Sequence, residues 1–234
     1  MRGWRTIVGR TIMVGVGAAV LTGVVAPAAG AASTGTATDK QIATAGVLVA
    51  GDLPASYTQS ARDTSSDAKT QKLAAKIPAC KKVVAFMHAT DTNTEVKSDD
   101  FSQGQTLVDN TVTVFPTAAK AKAAVDAYAA TGVPACFGQL VGKIAQQAGG
   151  KAKADIKKVS DVTAGDQAIA YEGPVAITES DGSQTTLAFG NLVIRVGRGV
   201  AVYSYNHDAQ ISIQTELEHA VESSGTRLQD ALAR

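Results

Sequence analysis

Few residues in this chain have the types and spacings that chemistry needs, and each such set also reads as ordinary surface. Ser66-Asp67-Ala68-Lys69 matches S-x-x-K, which brings a lysine amine beside a serine hydroxyl on one helical face. Neither S-D-N nor K-T-G follows, so the four residues read as an exposed helix start rather than as the nucleophile of a penicillin-binding enzyme or β-lactamase. A serine-hydrolase elbow, G-x-S-x-G, does not occur in the sequence, and neither does a Walker-type loop. Glu216, His219 and Glu222 stand at successive i+3 steps, a spacing that could turn metal ligands to one side of a helix. A His between two Glu on an amphipathic helix is better read as a solvated polar edge. Asp99-Asp100 lie in a polar stretch without the alternating oxygens and the Gly of a calcium loop. His88, at the end of an apolar run, reads as a packed or capping residue. The expectation is a non-enzymatic protein with no metal and no cofactor. A hydrolase whose site is assembled from distant residues is the alternative, because spatial triads need no local motif.

One constellation points to binding. Between residues 165 and 207 three β-rich runs, 168–179, 184–196 and 200–207, are separated by Asp181-Gly182 and Gly197-Arg198-Gly199, which predicts a three-strand meander. With Gly197-Arg198-Gly199 as a three-residue loop, Val196 opposes Val200, Ile194 opposes Val202 and Leu192 opposes Ser204 on a core face. The other face then carries Phe189, Asn191, Val193 and Arg195 beside Ala201, Tyr203, Tyr205 and His207. Asn191, Arg195, Tyr203, Tyr205 and His207 are the candidate ligand-binding residues, since aromatic rings supply contact area while Arg, Asn and His orient a polar or anionic ligand. The competing reading is that a helix covers this face and the tyrosyl groups emerge at its edge.

The elements around the meander follow from periodicity and caps. Ile42, Ala45, Leu48 and Val49 recur at helical spacing from Asp39, and Gly51 with Pro54 ends that run. Tyr57 and Thr58 open a strand, Ser66 caps a helix running to Ile77, and Cys80 to His88 form another. Residues 89–95 read as a polar loop, and Phe101 and Leu107 to Phe115 as two strands. Thr117 caps a helix whose face is Ala121, Ala124, Val125 and Tyr128, ended by Gly132. The next helix starts at Pro134, with Phe137, Leu140, Val141 and Ile144 on one side and Gly149-Gly150 as its stop. Lys-rich residues 151–160 read as a solvated edge, and a long helix over about 211–233, striped by Ile213, Leu217, Val221, Leu228 and Leu232, should cover the sheet.

Cys80 and Cys136 are the two cysteines of the chain, each within a Pro-Ala-Cys tripeptide, and are expected to form one disulfide tying two helix starts together. The chain-entropy model gives a bridge across so long a loop roughly 4 kcal/mol. Without C-x-x-C or a His at ligand spacing, a redox thiol or zinc ligand is the weaker reading. Export would oxidise the pair, and the N-terminus looks like an export signal. Arg2, Arg5 and Arg10 precede an apolar run of about fourteen residues, shorter than the roughly 20 that span a bilayer, and small residues follow through Ala32. Cleavage after Ala31 is expected, by ordinary secretion since no adjacent Arg pair precedes the run. The expected organisation is a signal peptide at 1–31, a flexible segment at 32–38 and one α+β domain at 39–234.

The 234 residues carry 22 Lys+Arg against 21 Asp+Glu, a net charge of +1. No basic tract stands out, which argues against nucleic-acid partners, because phosphate neutralisation needs clustered cations. With 45% hydrophobic residues the chain has material for a core.

Several stretches together resemble the secreted sensor-type domains and lipoproteins of actinobacteria, among them the PknH-type extracellular sensor domain of receptor kinases and the LpqN-type lipoproteins. They are Gly51-Asp52-Leu53-Pro54-Ala55-Ser56-Tyr57-Thr58, Pro78-Ala79-Cys80, Val114-Phe115-Pro116-Thr117-Ala118-Ala119-Lys120-Ala121 with Cys136 after its helix, and Gly165-Asp166 through Arg195 to the final helix. The resemblance covers most of the chain after the leader. It implies an antiparallel sheet flanked by helices, an α-β-α sandwich similar to PsbP-like proteins, with a ligand-binding or protein-binding role and no catalysis. The sequence shows no kinase segment, no membrane segment beyond the leader and no Cys placed for lipidation, so a sensing role would need a partner. The reading as a whole is a secreted or cell-wall-associated module that binds a small or cell-wall-derived ligand, with a protein-interaction module at the cell surface as the alternative.

Overall fold

The computed structural model describes residues 37–64, 67–129 and 132–234. The expected leader, its cleavage point and the Ser66 cap lie outside the described residues.

Thr38 opens helix α1 (Asp39–Gly46) with a reciprocal cap: its hydroxyl accepts from the Gln41 amide at 3.3 Å, and the Gln41 side chain accepts from the Thr38 amide at 2.8 Å. After a 3₁₀ turn at Ala50–Asp52 come strand β1 (Thr58–Ser60), helix α2 (Asp67–Ala74), a second 3₁₀ turn at Pro78–Cys80 and helix α3 (Lys81–Asp91). Strands β2 (Thr94–Lys97), β3 (Asp100–Gln103) and β4 (Thr106–Val114) follow. Residues 89–95, expected as a loop, are instead the last turn of α3, a tight turn and the start of β2. The polar Thr-Glu-Val-Lys of β2 hides its strand character because the segment is only half-buried along the edge of β4.

Helix α4 (Ala118–Tyr128) is capped by the Thr117 hydroxyl, and α5 (Val133–Gln147) starts from Gly132, at φ 106°, with Pro134 in its first turn. Edge strands β5 (Lys151–Ala154) and β6 (Lys157–Val159) precede the meander β7 (Gln167–Thr178), β8 (Gln184–Val196) and β9 (Gly199–Asp208), and helix α6 (Gln214–Leu232) closes the chain. The strands form one antiparallel sheet in the order β1-β3-β4-β9-β8-β7-β5, with β2 beside β3 along β4 and β6 beside β5 along β7.

Helices lie on both faces, each over its own core. One layer packs Val83, Phe86, Tyr128, Phe137, Leu140 and Ile144 of α3, α4 and α5 on Ile169, Tyr171, Phe189, Val193 and Val200 of the sheet. Cys80 and Cys136 are bonded within this layer, both fully buried at helix starts, across a sequence separation of 56. The other layer packs Ile42 and Ala43 of α1 and Ala220 and Leu228 of α6 on Val108, Val112, Leu192, Ile194, Ala201 and Tyr203. Arg227 ties that layer together: it donates to both Asp52 carboxylate oxygens, at 2.6 and 2.7 Å, and to the Ala45 and Val47 carbonyls at 3.0 and 2.9 Å. Asn110 fixes the end of α1, accepting from the Leu48 amide at 2.8 Å and donating to the Gly46 carbonyl at 3.0 Å. Among the described residues no helix is long and apolar enough to cross a membrane.

The register of the last hairpin differs from expectation by one residue. Val196 pairs with Gly199, so the loop is the two-residue Gly197-Arg198 with Gly197 at φ 54°. Gly199 belongs to β9, and its missing side chain serves packing: a Cβ there would meet both Leu228 methyl carbons at 3.2 Å. Because side chains alternate along a strand, this single step exchanges the two faces of β9 relative to β8.

Candidate ligand-binding cleft

That exchange divides the expected binding constellation between the two layers. Asn191 faces the disulfide-bonded layer, where its carbonyl accepts from the Tyr128 hydroxyl and its amide donates to Ser204 Oγ at 3.1 Å. Arg195, on the same face, donates to Asp166 at 2.9 Å and to the Gly197 carbonyl at 3.0 Å. Tyr203, Tyr205 and His207 face α6. Tyr203 is sealed beneath it with its hydroxyl 2.7 Å from Ser224 Oγ, and burial pushes its pKa up to about 12. The five residues therefore do not form one site, whereas Tyr205 and His207 do line a cavity.

The cavity arises from the way α6 sits on the sheet. One row of the helix, Ala220, Ser224 and Leu228, is buried against the strands. The adjacent row, Leu217, Val221 and Gly225, faces sideways and walls a cleft of about 810 Å³. Its floor is Ala170 of β7, Leu192, Ile194 and Val196 of β8, and Tyr205 of β9, and its third side is Val159, Val162 and Ala164 of the segment leading into β7. Asp161, Glu172, Glu218 and Glu222 line it with carboxylates, and Thr163, Gln214 and Gln229 add neutral polar groups. Asp161 takes φ 62°, a left-handed conformation that Asp tolerates better than most residues.

Tyr205 is placed by a glycine. Its cross-strand partner is Gly190, and a Cβ there would lie 1.9 Å from the phenol Cζ, so the ring occupies the space another residue's side chain would need. The hydroxyl donates to Glu172 Oε2 at 3.3 Å. Burial, then the neighbouring Glu172 carboxylate, raise the Tyr205 pKa, so the phenol is a neutral donor. His207 stacks alongside at 6.3 Å between centroids and 17° between planes. Its Nδ1 lies 2.8 Å from the Asp208 carbonyl, an acceptor, which assigns the proton to Nδ1 and leaves Nε2 as the free ring nitrogen. Among the described residues His207 makes no hydrogen bond to a hydroxyl, so no nucleophile–base pair is assembled there.

A second concentration of charge lies away from the cleft, where β2 and β3 flank β4. Arg62 donates to Asp109 at 2.6 Å and Lys97 to Asp67 at 2.9 Å, with Glu95 3.9 Å from Lys97. Burial pushes the Glu95 pKa up to about 7, opposed by Lys97. Among the described residues, no three His, Cys, Asp or Glu side chains come together as a metal site. Asp67 and Lys69 of the S-x-x-K match diverge, Asp67 being buried on Lys97 and Lys69 exposed.

The cleft residues from Val159 to Ala164, together with Glu172 and the sideways row of α6, are the part that sequence reasoning missed. The i, i+4 recurrence of Leu217, Val221 and Gly225 is the one local signal that could have pointed to them.

No family model matches the sequence, and no curated protein matches it. Among solved structures, the extracellular domain of PknH from Mycobacterium tuberculosis aligns over 80% of this chain and 97% of that chain, with 13% identity and a TM-score of 0.35. It is the type of domain that the sequence motifs resemble, and at those values the likeness establishes neither fold nor function.

Proposed function

We propose that this protein is a non-catalytic binding module that works outside the cytoplasm and holds a small amphiphilic ligand in the cleft beside α6. The observation that carries the reading is the cleft itself, with an apolar floor and wall, a polar lining and a volume of about 810 Å³, within the size range of small-molecule sites. The buried Cys80–Cys136 bond supports a location where thiols oxidise. A ligand from the cell envelope fits both features. A protein-docking role would be favoured by a contiguous exposed apolar patch, whereas the large exposed hydrophobic side chains among the described residues are Val49 and Ile211.

Gly225 supplies the test. It faces the cleft from α6, and a Cβ added there meets nothing within 4 Å. Gly225→Phe should therefore fold and fill the cleft. The neutral dye N-phenyl-1-naphthylamine should bind the parent chain at one site with enhanced fluorescence and bind Gly225→Phe at least about tenfold more weakly. Equal binding to both, or no binding to the parent, would overturn the reading.

A further inference from the structure

We propose that the cleft selects amphiphiles with a cationic, ammonium-type head group over neutral or anionic ones, an inference that rests on the cleft being a ligand site. The lining contains four carboxylates, Asp161, Glu172, Glu218 and Glu222, and no Lys or Arg. They come from three separate elements and stand around an apolar floor, so they form the mouth of a cavity rather than a charged stretch of one helix. Lys157, across the ladder from Glu172, is exposed and outside the lining, 3.1 Å from Asp155. Arg195, the cation among the residues expected to orient a polar or anionic ligand, faces the opposite layer and is paired with Asp166.

A buried group supplies the second observation. His207 is 7% exposed, and its Nδ1 is engaged by the Asp208 carbonyl. Its Nε2 has no hydrogen-bond partner among the described residues, while the ring lines the cleft. In the tautomer that the Asp208 carbonyl selects, with the proton on Nδ1, that nitrogen is an acceptor, as the carboxylates are. The one phenol donor, Tyr205, is already directed to Glu172. The cleft thus offers apolar contact beside carboxylates, two of which already accept one bond each, Glu172 from Tyr205 and Glu218 from Gln214, and an ammonium with N–H donors on an apolar tail complements it in both charge and hydrogen bonding.

Calorimetric titration of the purified chain with three probes of equal tail length, all below their micelle concentrations, tests this. Dodecylammonium should bind at one site about tenfold or more tighter than octaethylene glycol monododecyl ether, and dodecyl sulfate should bind most weakly. The ratio of cationic to neutral affinity should fall in high salt and in the exposed double variant Glu218→Gln/Glu222→Gln. Equal affinity for the cationic and neutral probes, tightest binding of dodecyl sulfate, or a ratio unchanged in the double variant would overturn the charge selection while neutral binding upholds the cleft. Binding of no probe would overturn both.

Discussion

At the scale of single residues, Gly190 and Glu95 carry the clearest consequences. Gly190→Ala inserts a methyl carbon where the Tyr205 ring lies. The ring must leave the cleft floor and lose its bond to Glu172, so a cost of about 1–3 kcal/mol in urea unfolding is expected, with the tyrosine environment altered in near-UV circular dichroism. For Glu95 the sign follows from linkage. Its folded pKa of about 7 is above the ordinary value of 4.5, so the folded state holds a proton that the unfolded state releases between those limits. The Glu95 contribution to stability is fully present below about pH 4.5 and is lost as pH rises through about 7. Glu95→Gln should remove this fall, raising Tm at pH 8 relative to the parent, with each kcal/mol worth about 2–4 °C in a chain of this size. A Tm difference that does not vary between pH 4 and pH 8 would contradict the assignment.

At the scale of elements, most helices were legible because their signals are local. Thr117 announces a start, the Pro-Ala-Cys repeats place both cysteines at helix starts, and apolar spacing gives the buried side of α5, whereas the Thr38 cap sits in a stretch expected to be flexible. What failed was information that depends on another element. Gly199 looked like turn chemistry, yet it is a strand residue kept small by Leu228, and counting it in the loop shifted the register by one. The strand β2 was hidden because its partner β4 supplies the burial that its own residues do not advertise. Tyr205 and His207 were read from the sequence and do line the cleft, whereas Asn191 and Arg195 were attached to them by that shifted register. Arg227 shows the same dependence, since its partners are about 175 to 182 residues away in sequence. Arg227→Ala should cost about 1–3 kcal/mol by chemical denaturation, because it removes both charged donors from the buried Asp52 carboxylate and leaves it, among the described residues, only the Val49 amide at 2.9 Å. Arg227→Lys should recover part of this, a point charge replacing a bidentate clasp.

At the scale of the whole molecule, the disulfide belongs to one layer and the cleft to the other. Reduction should lower the unfolding free energy by roughly 4 kcal/mol, read as a shift of the urea midpoint with and without reductant. An unchanged midpoint would mean that the bridge restrains little of the unfolded chain. The sheet also sorts side chains without overlap: along β9, Val200 faces the bonded layer, whereas Ala201, Tyr203, Tyr205 and His207 face α6. Each strand position therefore answers to a single neighbourhood. On the proposed binding role, drift in the residues around the cleft can retune ligand choice without disturbing the covalently closed half, so among descendants of this chain binding preference should diverge faster than the Cys-bearing scaffold.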